Sequence, residues 1–182
     1  MAGGLGAFYA GGRIYTLPSV HIYKACPMAG KQPEPYDKGL ARMRDIVGKR
    51  YPQWSEFLTQ AQISRLAQSS GGDLRDYFRM LRLAITRAPT LATLPVADTV
   101  VADAEDAVRN DMLPIAADDP TWLAKIMASH ETELLILDSL PDFARLQQGK
   151  YVLHYRNGRD WYDVHPLLRP AIGPDGSTDA NP

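Results

Sequence analysis

Asn157-Gly158 lies between KYVLHY (150–155) and DWYDV (160–164), two stretches rich in aromatic and β-branched residues. An Asn-Gly pair tolerates the positive φ angles of a tight type I′ turn, so the pattern predicts one β-hairpin, Lys150–Tyr155 against Asp160–Val164. Two strands alone make a marginal structure. From residue 36 to residue 147 the apolar residues recur mostly at helical spacing.

Asp37 caps a predicted helix over Tyr36–Val47, with Leu40, Met43, Ile46 and Val47 on one face. A second is predicted over Trp54–Gln68, stopped by Gly71-Gly72. The strongest pattern is Asp73–Ala88, where Leu74, Tyr77, Phe78, Leu81, Ala84, Ile85 and Ala88 recur three and four apart before Pro89. Leu74, Phe78 and Leu81 are expected to face the core. Val96–Met112 follows, with Val100, Val101, Ala104, Ala107 and Val108 inward. Thr121–Ser129 and Leu134–Gln147 predict short helices broken at Pro141. Short helices followed by a hairpin are the order of elements in a winged helix. The expected fold is mainly α with one small β-hairpin.

The N-terminal segment RIYTLPSVHIYK (13–24) has strand composition but no evident pairing partner in the N-terminal half. Its sheet is expected to lie upstream of Met1. Residues 25–35, with three prolines and a glycine, read as a linker, and residues 171–182 as a disordered tail.

The chain has 182 residues, a formal net charge of −1 and a pI of about 6.4, so no global charge draws it to nucleic acid or anionic membrane. Cys26 is the single cysteine, which excludes an internal disulfide and fits a reducing, cytoplasmic compartment. No apolar run is long enough to span a bilayer.

Arg75, Arg79 and Arg82 fall within about 60° of one another around a helix, just after Gly71-Gly72. Glycines that permit close backbone approach, a helix N-terminus and aligned arginines suit a phosphate. A solvated basic face, partly paired with Asp76, is the plainer reading of the spacing.

Gly72, Asp73, Arg75, Leu81, Arg82 and Ala84, a Gly-Asp-x-Arg start running into Leu-Arg-x-Ala, resemble the sensor-2 helix in the lid of AAA+ ATPases, especially replication-origin initiators and related bacterial ATPases. VLHYRNGRDWYDVHPLLRP resembles the wing and C-terminal end of a group of bacterial ATP-binding proteins, and RIYTLPSVHIY the strand closing their ATPase core. The resemblance implies a core strand and linker over 1–35, a helical lid over 36–117 and a winged helix over 118–170. It implies that Arg75, with Arg79, Arg82 and the Gly71-Gly72 turn, reaches nucleotide phosphates. ATP or ADP would bind only where an ATPase core is supplied, by this or another protein partner.

No G-x-x-x-x-G-K-[ST] occurs, and no apolar strand ends in paired acids, so this chain is expected to be non-catalytic. His21, His130, His154 and His165 lack metal-ligand spacing. Asp163 and His165, two apart, have no nucleophile beside them, although a local hydrogen bond between them is feasible. A DNA-binding winged helix and a protein–protein adaptor are the alternatives. Residues 118–171 carry six basic and eight acidic residues, and Glu133–Gln147 only Arg145, a poor recognition helix. Arg156 and Arg159 at the hairpin tip are the candidate nucleic-acid contacts, and weak or no duplex DNA binding is expected.

Overall fold

A computed structural model describes residues 19–87, 93–116, 118–133 and 139–173. Residues 13–18 of the predicted N-terminal strand lie outside this set. So do Ala88, Pro89, residues 134–138 of the predicted 134–147 helices and residues 174–182 of the tail.

The described elements, in order, are α1 (Asp37–Arg50), α2 (Trp54–Phe57), α3 (Gln60–Ser69), α4 (Leu74–Arg87), α5 (Asp98–Asn110), α6 (Asp119–Ser129), α7 (Leu140–Gln148), β1 (Val152–Asn157), β2 (Arg159–Val164) and a 3₁₀ turn (Pro166–Ala171). The fold is mainly α with one antiparallel two-stranded hairpin. No helix among the described residues is long and apolar enough to cross a membrane.

The predicted helix at 54–68 is two helices. Thr59 breaks it, because its Oγ1 accepts from Gln62 N at 3.2 Å while Gln62 Oε1 accepts from Thr59 N at 2.9 Å. This capping box starts α3 afresh. Pro141 does not break a helix but sits in the first turn of α7, where its missing N–H costs nothing.

The hairpin turn also departs from expectation. Gly158 alone takes a positive φ, 104°. Asn157 stays in β1, paired across to Arg159. Its amide donates to Tyr23 O at 3.1 Å and its Oδ1 accepts from Trp161 Nε1. Asn157 therefore serves through its side chain rather than through left-handed backbone.

Register pairs Val152 with Val164, Leu153 with Asp163 and Tyr155 with Trp161. Side chains alternate across a strand, and here both faces are covered. Leu153, Tyr155 and Trp161 join a core built from α1, α3, α4 and α5, including Met43, Leu66, Met80 and Val101. Val152 and Val164 join a second core with Leu123, Ile126, Phe143, Leu146 and Leu168. α3 packs against α1, α4 and α5, while α6 lies on β2 and α7 on β1.

The N-terminal segment runs over the first core as a strap. Ile22 and Tyr23 are buried. Among the described residues it forms one isolated bridge, Tyr23 with Pro35, plus single bonds such as Ser19 N to His154 O and Val20 N to Gly72 O. Residues 25–35 are pinned as well, Gly30 N donating to Ala128 O at 2.8 Å.

Gly39 in α1 tests the strap. An added Cβ there would lie 1.9 Å from His21 O, a backbone atom. In an open helix Gly→Ala gains about 1 kcal/mol. At this position the clash reverses the sign, and Gly39→Ala should destabilise the protein by about 1–3 kcal/mol. Urea melts measure it; a stabilised variant would show that the strap is not seated on α1.

Candidate functional site

α4 carries the candidate arginines, and its first turn is fully engaged by the rest of the chain. Gly71 and Gly72 end α3 with φ of 59° and 83°. Their close approach serves the protein itself. A Cβ on Gly71 would meet Leu153 Cδ1 at 2.3 Å and one on Gly72 would meet Val20 O at 2.3 Å. Tyr155 Oη donates to Gly71 O at 2.7 Å. The helix N-terminus is likewise occupied, since Asp73 Oδ1 accepts from Asp76 N at 3.1 Å and Asp73 Oδ2 pairs with Lys150 Nζ at 2.9 Å. The glycine turn expected to cradle phosphate is filled by the hairpin and the strap, so the glycines shape the turn.

The core face of α4 is Tyr77, Met80, Leu81 and Ala84, with Asp76 beside them. Leu74 and Phe78, expected in the core, instead turn outward; Leu74 is 38% exposed and Phe78 half-buried. The reason is that α1 and α4 both pack on α3 and leave a groove between themselves. This groove, about 750 Å³, is lined by Val47, Phe78, Leu81 and Ile85, with Arg50, Arg75 and Arg82 at its edges. Arg75 and Arg82 are exposed and make no ion pair among the described residues. Arg79 leaves the set, because it turns to Asp111 on the far flank and pairs there. Arg50, unremarkable in the sequence, stacks over the Phe78 ring at 5.2 Å from its centroid. Only the opening between two helices distant in sequence brings it to this site.

At the hairpin tip both candidate arginines have acidic neighbours. Arg156 Nε lies 3.4 Å from Asp160 Oδ1, and Arg159 Nη1 lies 3.9 Å from Glu131 Oε1. Arg159 also donates to Cys26 Sγ at 3.1 Å.

Asp163 and His165 go to different partners. His165 Nε2 stands 3.5 Å from Asp76 Oδ2, tying the 3₁₀ turn to α4, and its Nδ1 accepts from Leu167 N. Burial works against the Asp76 anion, but His165 and the nearby arginines outweigh it and hold the carboxyl below its ordinary value. Asp163 is 1% exposed and pairs with Arg169, with His130 Nδ1 3.7 Å away. Burial pushes the Asp163 carboxyl up to about 7, against the pull of Arg169, and pushes His130 down. Among the described residues no group of three or more His, Cys, Asp or Glu is placed to hold a metal ion.

The Asp163–Arg169 pair yields a pH prediction. A carboxyl raised in the folded state contributes most when protonated, and that contribution is lost as pH rises from the unfolded value, about 3.9, to the folded one. In the intact protein the loss ends near pH 7, the folded value of Asp163. Without Arg169 burial acts unopposed, the folded value moves higher, and the loss continues. The stability penalty of Arg169→Met should therefore widen above pH 7, by up to about 1.4 kcal/mol per pH unit. Urea melts at pH 6, 7.5 and 9 read this; a penalty independent of pH would place the negative charge elsewhere. Compared with family models, with curated proteins and with solved structures, the chain matches none.

Proposed function

We propose that this chain is a cytoplasmic, non-catalytic regulatory module of an AAA+-like ATPase, a lid and winged helix whose Arg75 reaches the phosphates of a nucleotide held by an ATPase core. The observation that carries the reading is the state of Arg75. It projects exposed from the first turn of α4, without an ion pair among the described residues, while that same turn is braced by Asp73, Lys150, Asp76 and His165. A sensing cation needs this combination of a free guanidinium on a fixed backbone. Arg82 lies seven residues on, about 10 Å along the helix, and serves the same face. ATP or ADP would come with the core, supplied in this or another protein. The chain itself lacks a phosphate-binding loop and should show no ATP turnover above background.

The duplex-DNA alternative is disfavoured by the hairpin. Both its faces are covered by protein, and Arg156 and Arg159 lie beside Asp160 and Glu131. Few phosphates remain for them to neutralise, so binding to duplex DNA should be weak with a shallow salt dependence. A tight, sequence-selective footprint would favour the DNA-binding reading instead.

Arg75→Ala should change stability by no more than about 0.5 kcal/mol, as for other exposed, unpaired side chains. Leu81→Ala, buried in the first core, should cost about 2–5 kcal/mol. Arginine Nε–H NMR resonances of the intact chain, titrated with inorganic triphosphate, report the contact directly. The Arg75 signal should move most. If Arg75→Ala unfolds the helices, or if triphosphate leaves Arg75 unmoved, Arg75 is not a phosphate sensor.

A further inference from the structure

A phosphate needs cations but not an apolar floor, and the groove between α1 and α4 has both. Its floor of Val47, Phe78, Leu81 and Ile85 stays partly open. Its charged lining residues are all arginines, Arg50, Arg75 and Arg82, with no acid among them, in a chain whose net charge is −1. None of the three has a carboxylate within ion-pairing distance among the described residues. Two other arginines of α4 do find acids, Arg79 at Asp111 and Arg87 at Asp103. The groove is thus a local concentration of unneutralised positive charge around exposed apolar surface.

We propose that this groove is the docking site for an acidic amphipathic helix of a protein partner. The inference rests on the reading of the chain as a regulatory module only in placing a protein over this face. Three features choose the occupant. The walls are two helices, so a third helix packs its ridges into theirs, the helix-in-groove mode of recognition. The lined stretch of α4 runs from Leu74 to Thr86, about 18 Å, which matches three turns of a docked helix. Arg50 on α1 and Arg82 on α4 stand on opposite walls, so the partner carries carboxylates on both sides of its apolar stripe. Arg50, laid over Phe78, is held at the wall in advance. Arg75, in the first turn of α4, sits at one end of the stripe and remains available to a phosphate.

The probe is a displayed library of amphipathic 14-residue helices, leucine along one stripe and Glu, Gln, Lys or Ala at every other position, selected against the intact protein. Recovered sequences should be enriched in Glu flanking the stripe. Arg50→Glu and Arg82→Glu, checked for unchanged melting, should each weaken the best peptide by about tenfold or more, and added salt should do the same to the parent protein. Phe78→Asp should abolish binding. Recovery of neutral or basic helices, or of binders indifferent to Arg50 and Arg82, would overturn the proposal. So would concentration-dependent self-association lost in Phe78→Asp, which would assign the groove to a second copy of the chain. Triphosphate titration separates the two readings: helix binding that fails while Arg75 still senses triphosphate sinks the docking site alone, and the converse sinks the sensor alone.

Discussion

Everything in this molecule is arranged around a two-stranded hairpin that is buried on both faces. Two strands cannot stabilise themselves, and each face needs apolar cover. One face, with Leu153, Tyr155 and Trp161, completes the core of α1, α3, α4 and α5; the other, with Val152 and Val164, completes the core of α6 and α7. The hairpin is therefore the wall shared by two helical groups. The aromatic contacts on it are close, with Tyr155 and Trp161 stacked at 4.2 Å and Tyr23 edge-on to Tyr155 at 5.4 Å. Burial drives the Tyr155 hydroxyl well above its ordinary pKa, so it stays a proton donor, and it spends that proton on Gly71 O.

Such a wall needs orientation as well as adhesion, and buried polar groups supply it. Apolar contact is non-directional, whereas a buried ion that loses its partner is heavily penalised. Asp163 with Arg169 fixes the 3₁₀ turn against β2, and His165 with Asp76 fixes it against α4. Lys150 with Asp73 joins the start of β1 to the cap of α4. Three polar contacts thus converge on the hairpin and on the first turn of α4, so the helix that displays Arg75 is tied to the hairpin and the turn that follows it.

The same packing creates the groove. α3 occupies the centre of the first group, and α1 and α4 contact it from different directions without closing on each other. The apolar face of α4 is wider than the surface α3 and α5 cover, and the surplus, Leu74, Phe78 and Ile85, is left beside Arg75 and Arg82. An arginine next to such a surface is more weakly hydrated than a lysine would be and stacks on aromatic faces, as Arg50 does on Phe78.

The chain by itself determined the helices, the hairpin and the exposure of Arg75. The three-and-four spacing from Tyr77 to Ala84 and the alternation in KYVLHY depend only on side-chain period. Thr59 with Gln62 is a local signal too, and it marks the start of α3 that the apolar pattern runs straight through. Tertiary structure decided which apolar residues were covered. Leu74 and Phe78 share the periodicity of Leu81, yet only Leu81 is fully buried; Phe78 is half-covered and Leu74 exposed. It also decided the company each polar residue keeps. Asp163 and His165 stand two apart but belong to clusters on different elements, Gly71 and Gly72 are filled by residues from both ends of the chain, and Arg50 joins Arg75 and Arg82 across 25 and 32 residues of sequence. Periodicity states which direction a side chain takes from its own backbone; only the packing of distant segments states what it meets there.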